Sequence, residues 1–228
     1  MADAAAIARA HAVYTPLALR FYDLVVHGLS NRFAWGCPTS KIVDLYAQTL
    51  TANHLEAGAG TGLFLDEAGR DFDRLVLADI NAHCLDRAMR RLARFRPEPV
   101  QVNLRAPLAL EAPPFTSVGL TYVLHCLPGS MADKLVTLDH VKPFMAEGAT
   151  LFGATILGRG ITPNGPARTL LELYNKKGVF DNRADDFESL TQGLKRRFSD
   201  VMIEQEGCVA LFTARVGRLG AGLKSVSG

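Results

Sequence analysis

Several features that would define a protein class at once are missing from this sequence. It has four cysteines, Cys37, Cys84, Cys126 and Cys208, with no C-x-x-C pair and no ligand-like spacing to a histidine. That argues against a disulfide framework or a structural zinc site and suits a reducing compartment, so a cytoplasmic location is expected. His11, His27, His54, His83 and His140 follow no metal-ligand spacing, and no metal is assigned. No stretch approaches the ~18 apolar residues of a membrane span. Arg9, His11 and Arg20 interrupt the alanine-rich N-terminus, where a signal peptide needs an unbroken apolar core. No membrane partner is expected. Neither sign of charge dominates: 25 Lys and Arg stand against 23 Asp and Glu, a net of +2, so no electrostatic footprint for a nucleic acid stands out.

What is present is a chain of 228 residues, 48% hydrophobic and 21% charged. A chain of this size buries roughly 70% of its unfolded surface and needs no cross-links to fold. Residues 1–50 look helical and are expected to form an N-terminal cap. Thr39 or Ser40 can cap a helix carrying Ile42, Val43, Tyr46 and Leu50. From residue 51 to 219 short apolar runs alternate with amphipathic stretches, and the tail 220–228 is small, polar and expected to fray. Strands are expected at His54–Ala57, Leu75–Asp79, Val100–Val102, Ser117–Tyr122 and Thr150–Leu157, with Asn81 capping a helix after the second. Asp185-Asp186-Phe187-Glu188 resembles a capping box at the start of a later helix. The runs Val201–Ile203 and Val209–Ala214, joined through Gly207, are so close that they must form an antiparallel hairpin. Strands alternating with helices point to a doubly wound α/β sheet.

The strongest local signal is the run His54-Leu55-Glu56-Ala57-Gly58-Ala59-Gly60-Thr61-Gly62. Glycines at alternate positions after a strand permit a tight turn and close approach of a ligand to the backbone. A dinucleotide fingerprint starting at Gly58 would need a small residue where Leu63 stands. The acid Glu56, just before the turn, would crowd a pyrophosphate but suits a ligand with a cationic amine. Asp79 ends the second strand about 20 residues on, where a carboxylate accepts hydrogen bonds from ribose hydroxyls. It also fits a helix cap beside Asn81.

These elements, LEAGAGTG, the acid in LVLADI, the strand SVGLTYVLHCLPG and the later VKPFMAEGATLFGATIL, resemble the class I S-adenosylmethionine-dependent methyltransferases, most nearly their small-molecule members of the ubiquinone/menaquinone-biosynthesis type. The resemblance implies a seven-stranded Rossmann-like sheet in the order 3-2-1-4-5-7-6 with strand seven antiparallel. It also implies S-adenosylmethionine as cofactor and S-adenosylhomocysteine as product. Gly58, Gly60 and Gly62 then form the first motif, Glu56 helps hold the methionine moiety, and Asp79 with Ile80 meets the ribose. Asn103 and Leu104 reach the adenine edge, where the family often has aspartate, and Tyr122 and Tyr14 complete the cofactor contacts.

Methyl transfer needs an aligned acceptor and a dry site. A hydroxyl or acidic-carbon acceptor also benefits from a base, and His125, just past the fourth strand, is the candidate. Tyr22, Arg32 and Trp35 from the N-terminal segment, and Tyr174 from the long connection 158–183, are candidates for the acceptor pocket. The expected reaction is methylation of a small organic acceptor at oxygen, nitrogen or carbon, in secondary metabolism, by a chain that can form a homodimer. Two alternatives stay open. One is methylation of RNA or protein, although Thr121-Tyr122-Val123-Leu124 lacks the Asn-Pro-Pro-Tyr pattern of many base-amino methyltransferases. The other is a protein that binds S-adenosylmethionine as a structural element without transferring the methyl group.

Overall fold

A computed structural model describes residues 30–110 and 113–217. Among these residues six α-helices and seven strands follow one another. They are α1 (Thr39–Thr49), β1 (Asn53–Ala57), α2 (Leu63–Glu67), β2 (Arg74–Asp79), α3 (Ala82–Arg91), β3 (Glu98–Gln101), β4 (Phe115–Thr121), α4 (Met131–Val141), β5 (Met145–Ile156), α5 (Gly165–Lys177), α6 (Phe187–Lys195), β6 (Ser199–Glu206) and β7 (Val209–Arg215). The seven strands form one sheet in the order β3-β2-β1-β4-β5-β7-β6. Pairing is parallel from β3 through β5, and β7 runs antiparallel to both its neighbours. This is the order that the family resemblance implies, and the terminal hairpin is the one required by the short Gly207 connection.

Helices cover both faces, as buried parallel strands require. On one face Ile42 and Tyr46 of α1, Phe64 and Leu65 of α2, Leu85 and Ala88 of α3 and Ala167 of α5 pack with Leu75, Leu77 and Phe152 of the sheet. On the other, Leu135 and Leu138 of α4 and Leu190 and Leu194 of α6 pack with Leu55, Val76, Val118 and Leu151. Each of these leucines, if fully buried, contributes roughly 1.5–3 kcal/mol. The four cysteines are free thiols. No helix among the described residues is long and apolar enough to cross a membrane.

Local signals settle most helix starts. Asn81 accepts from the His83 N–H at the head of α3, and Ser130 with Asp133 closes a capping box on α4. Two expectations are corrected. The N-cap of α1 is Pro38, with no side-chain cap, and the Thr39 hydroxyl instead accepts from the Asn31 amide at 3.1 Å. At α6 the N-cap is Asp186, which accepts from the Ser189 N–H; Asp185 is drawn off into a buried ion pair with Lys134, so no box with Glu188 forms. The connection 158–183 holds a complete helix, α5, capped by the Asn164 side chain and ended by Gly178 in the left-handed region.

Candidate active site

The site is built where β1 and β4, neighbours in the sheet, carry their connections to opposite faces, the switch point at which such sheets bind ligands. After β1 the chain turns sharply, and the Gly58 and Ala59 N–H groups both donate to the Ala78 carbonyl of β2, at 2.7 and 3.2 Å. Gly58 has φ +95°, and a Cβ there would lie 2.2 Å from Val123 Cγ2, so both backbone and packing demand glycine. Gly60 has φ +52° with nothing within 4 Å of a Cβ position, so this part of the turn faces open space.

That space is an open cleft, about 1090 Å³ with its solvent-filled mouth included. Glu56, Gly58, Gly60, Gly62, Asp79, Ile80, Asn103, Leu104 and Tyr122 all line it, as do Tyr46, Thr61, Phe64 and Thr121, which sequence reasoning did not single out. Its only charged lining side chains among the described residues are Glu56 and Asp79. A pyrophosphate would meet two carboxylates and no cation, whereas a ligand carrying positive charge meets favourable ones.

Asp79 is largely buried and accepts the Gly60 N–H at 3.1 Å on one oxygen and the Asn81 N–H at 2.9 Å on the other. A carboxylate at the end of this strand is an acceptor of the kind that ribose hydroxyls meet. Asn103 turns its side-chain oxygen back to the Arg105 N–H at 3.0 Å, and the Leu104 carbonyl meets His140 Nδ1 at 3.0 Å, which fixes this wall of the cleft to α4. Tyr122 has φ +59°, rare for a bulky residue, and its hydroxyl donates to Asn31 Oδ1 at 2.9 Å. Glu56 accepts from the Tyr46 hydroxyl at 2.6 Å and meets His54 Nε2 at 3.0 Å. Burial and the neighbouring Glu56 carboxylate raise the Tyr46 phenol well above its ordinary value, so it stays a donor.

The remaining candidates lie elsewhere. His125 is buried and does not line the cleft. Its Nδ1 accepts the Ile156 N–H at 3.3 Å and lies 3.3 Å from the Thr155 hydroxyl, which leaves the ring proton on Nε2. Burial, with the charge of Lys134, pushes its pKa down to about 3. A base for neutral pH needs a pKa near 7 and an open lone pair, and this ring has neither. The expectation of His125 as proton acceptor is corrected on that ground. Trp35 is core, 6.1 Å from Phe180 by ring centroids, and Tyr174 packs on the same Phe180 at 4.9 Å. Arg32 is exposed and lies over Phe33. Among the described residues, none of these three lines the cleft. Tyr14 and Tyr22 fall outside the described residues.

S-adenosylmethionine fits this donor set. The two carboxylates of the lining, Glu56 and Asp79, match its sulfonium and ammonium charges, Asp79 is placed to meet its ribose hydroxyls, and the open backbone at Gly60 admits close approach. Comparison with known proteins agrees. Residues 55–151 match a family model described as a methyltransferase domain. The chain is 37% identical to the methyltransferase aurB of Calcarisporium arbuscula over 90% of this chain and 96% of that protein. It is 35% identical to the demethylluteothin O-methyltransferase of Streptomyces thioluteus over 88% of each. Its fold matches the N-methyltransferase NodS of Bradyrhizobium japonicum WM9, solved with S-adenosylhomocysteine, at a TM-score of 0.59, 15% identity, and 78% and 85% coverage of this chain and that one. Identity at that level over nearly the whole chain, on a sheet in this order, makes the chain a member of the class I S-adenosylmethionine-dependent methyltransferases.

Proposed function

We propose that this protein methylates a hydroxyl oxygen of a small organic acceptor in secondary metabolism. The observation that carries the methyl-donor half is the cleft whose only charged lining residues, among those described, are Glu56 and Asp79. The oxygen acceptor is supported by the O-methyltransferase of Streptomyces thioluteus, matched along 88% of each chain.

When bound, S-adenosylmethionine supplies a methyl group on a sulfonium, an already activated leaving group. The work left to the protein is binding, alignment and exclusion of water. Glu56 holds the methionine end of the cofactor and Asp79 its ribose, Asn103 and Leu104 stand at the adenine end, and the Gly58–Gly62 turn lets the backbone come close. Phe64, Leu104, Val123 and Leu127 give the cleft apolar walls that keep water from the reacting atoms. Tyr122, held out of the common backbone regions and tied to Asn31, closes the wall at the end of β4. Among the described residues no histidine or lysine lines the cleft, and the acceptor we propose is an acidic hydroxyl, such as an enol or phenol, that loses its proton readily.

The test is incubation of purified protein with S-adenosylmethionine and a panel of enolic, phenolic and amine acceptors, read by mass spectrometry for one added methyl group. A methylated oxygen on an acidic hydroxyl is expected. Methylation confined to amines overturns the oxygen assignment. Cofactor binding in calorimetry without any methylated product favours a role as a structural ligand.

A further inference from the structure

The cleft acid Glu56 is held by Tyr46 of α1 and by His54 of its own strand, with Ser117 of β4 behind His54. Its two carboxylate oxygens are occupied separately: the Tyr46 hydroxyl of α1 donates to Oε1 at 2.6 Å, and His54, two residues earlier on the same strand face, meets Oε2 at 3.0 Å. His54 is fully buried, and its other nitrogen, Nδ1, lies 2.8 Å from the Ser117 hydroxyl of β4. Ser117 in turn accepts the Thr51 N–H at 3.1 Å. An ionised carboxylate only accepts, so His54 must present Nε2–H to Glu56. With Nε2 donating, Nδ1 is left to accept the Ser117 O–H, a bond from behind the carboxylate that fixes tautomer and ring orientation together.

The parallel pairing of β1 with β4 supplies the second half. His54 stands in register with Ser117, and Glu56 with Gly119. A Cβ at Gly119 would lie 2.4 Å from Glu56 Oε2. The pattern His-x-Glu on one strand is thus matched by Ser-x-Gly on the next, where the serine anchors the imidazole and the glycine vacates the space taken by the carboxylate.

We propose that Tyr46, His54 and Gly119 are positioning residues that aim the Glu56 carboxylate into the cleft and so set affinity for the cationic methionine end of the cofactor. The inference rests on the reading that Glu56 holds that end. Without the cradle the carboxylate would be free to swing, and the site would lose its directed acceptor. Because the cofactor makes this contact before and during transfer alike, losing it weakens binding rather than the chemical step.

The experiment measures the Kd for S-adenosylhomocysteine by calorimetry, with KM and kcat for S-adenosylmethionine alongside, and with circular dichroism as a check of folding. The variants are Glu56→Gln, Tyr46→Phe, His54→Leu, His54→Gln, Gly119→Ala and the double Glu56→Gln/Tyr46→Phe. Tyr46→Phe and His54→Leu are expected to raise Kd and KM roughly tenfold each, the size of one hydrogen bond to a charged group, with kcat within about twofold. His54→Gln, which keeps an N–H donor, recovers part of the loss. Gly119→Ala, which deletes no polar group, raises Kd in the same way by displacing Oε2. In the double variant Tyr46→Phe adds less than about twofold, since its effect passes through Glu56. If Glu56→Gln itself leaves Kd unchanged, the reading of Glu56 as the methionine-end acid fails, and this inference with it. If Glu56→Gln weakens binding while Tyr46→Phe and His54→Leu do not, or if the double variant is additive, the positioning role alone is overturned.

Discussion

Replacing Lys134 by methionine strips the cation from an ion pair whose two side chains are both completely buried. The Lys134 ammonium on α4 donates to the Asp181 carbonyl at 2.5 Å and to the two Asp185 carboxylate oxygens at 2.8 and 2.6 Å, so each of its three hydrogens has an acceptor. The Asp185 carbonyl accepts the N–H groups of Gly158 and Arg159, both at 3.0 Å, so the pair also clamps the end of β5 to the α5–α6 connection. Methionine keeps the length of the stem but leaves a carboxylate and a carbonyl buried with no donor. Breaking one side of a buried pair costs about 3–5 kcal/mol. At ~2–4 °C per kcal/mol for a chain of this size, the melting temperature should fall by about 6–20 °C. Burial raises the Asp185 carboxyl to about 6 even against the pull of Lys134. Its folded value thus lies above the unfolded ~3.9, so the stability linked to this group is complete in acid and lost as pH rises through about 6. The Lys134→Met penalty should therefore be larger near pH 8 than near pH 5, where the orphaned carboxyl takes up a proton. Thermal unfolding of Lys134→Met and of Lys134→Met/Asp185→Leu at both pH values checks this. The double variant leaves no unpaired charge and should regain most of the loss. A single variant within about 2 °C of the parent, or a double variant no more stable than the single, would refute the reasoning.

Three further outcomes follow from the same geometry. Asp79→Ala removes the acceptor for Gly60 and for the ribose hydroxyls and should weaken S-adenosylhomocysteine binding about 10- to 100-fold; an unchanged Kd in calorimetry would end its assignment to the ribose. Gly58→Ala sets a Cβ 2.2 Å from Val123 Cγ2 at φ +95°, a strain of roughly 1–3 kcal/mol. Cofactor affinity should drop, and Val123→Ala in the same chain should recover part but not all of it, because the backbone strain stays. His125 has its folded value pushed by burial to about 3, below the unfolded ~6.5, so its contribution is present above that value and lost as pH falls toward 3, at up to ~1.4 kcal/mol per pH unit. Urea unfolding of His125→Leu should show a flatter acid limb than the parent between about pH 6 and pH 4. Parallel limbs would contradict the buried, neutral imidazole.

The strands were legible where the pattern was local. Short apolar runs ending in glycine or aspartate mark β1 and β2 to within a residue, and the Asn81 cap marks α3. The third strand is less legible, because β3 is an edge strand with mostly exposed side chains and no buried face to impose alternation, and it runs over Glu98–Gln101 rather than through Val102. The order of the strands came with the family resemblance, since propensity says nothing about which parallel strands lie side by side. The helix α5 within the long connection is less legible because Ala167 is its sole fully buried residue, although Asn164 ahead of it and Gly178 after it are ordinary start and stop signals.

In the site, the same division separates what turn chemistry dictates from what register dictates. Gly58, Gly60 and Asp79 were legible because a strand, a glycine turn and an acid at the next strand end are sequence-local requirements of one ligand geometry. His125 was misjudged by the same local logic. A histidine past a strand end in an open cleft would make a good base, but this one is covered by Phe180, 4.5 Å away by ring centroids and 55 residues later, and bonded by the backbone of β5. His54 is the reverse case. By type and spacing it suggested nothing, and its meaning comes from Ser117, 63 residues away, which only the β1–β4 pairing brings to its ring. In a parallel sheet every in-register neighbour sits across at least one crossover. Side chains that tune a cleft acid from behind are therefore scattered in sequence even when, as with Glu56, the acid itself stands in the most legible motif of the chain.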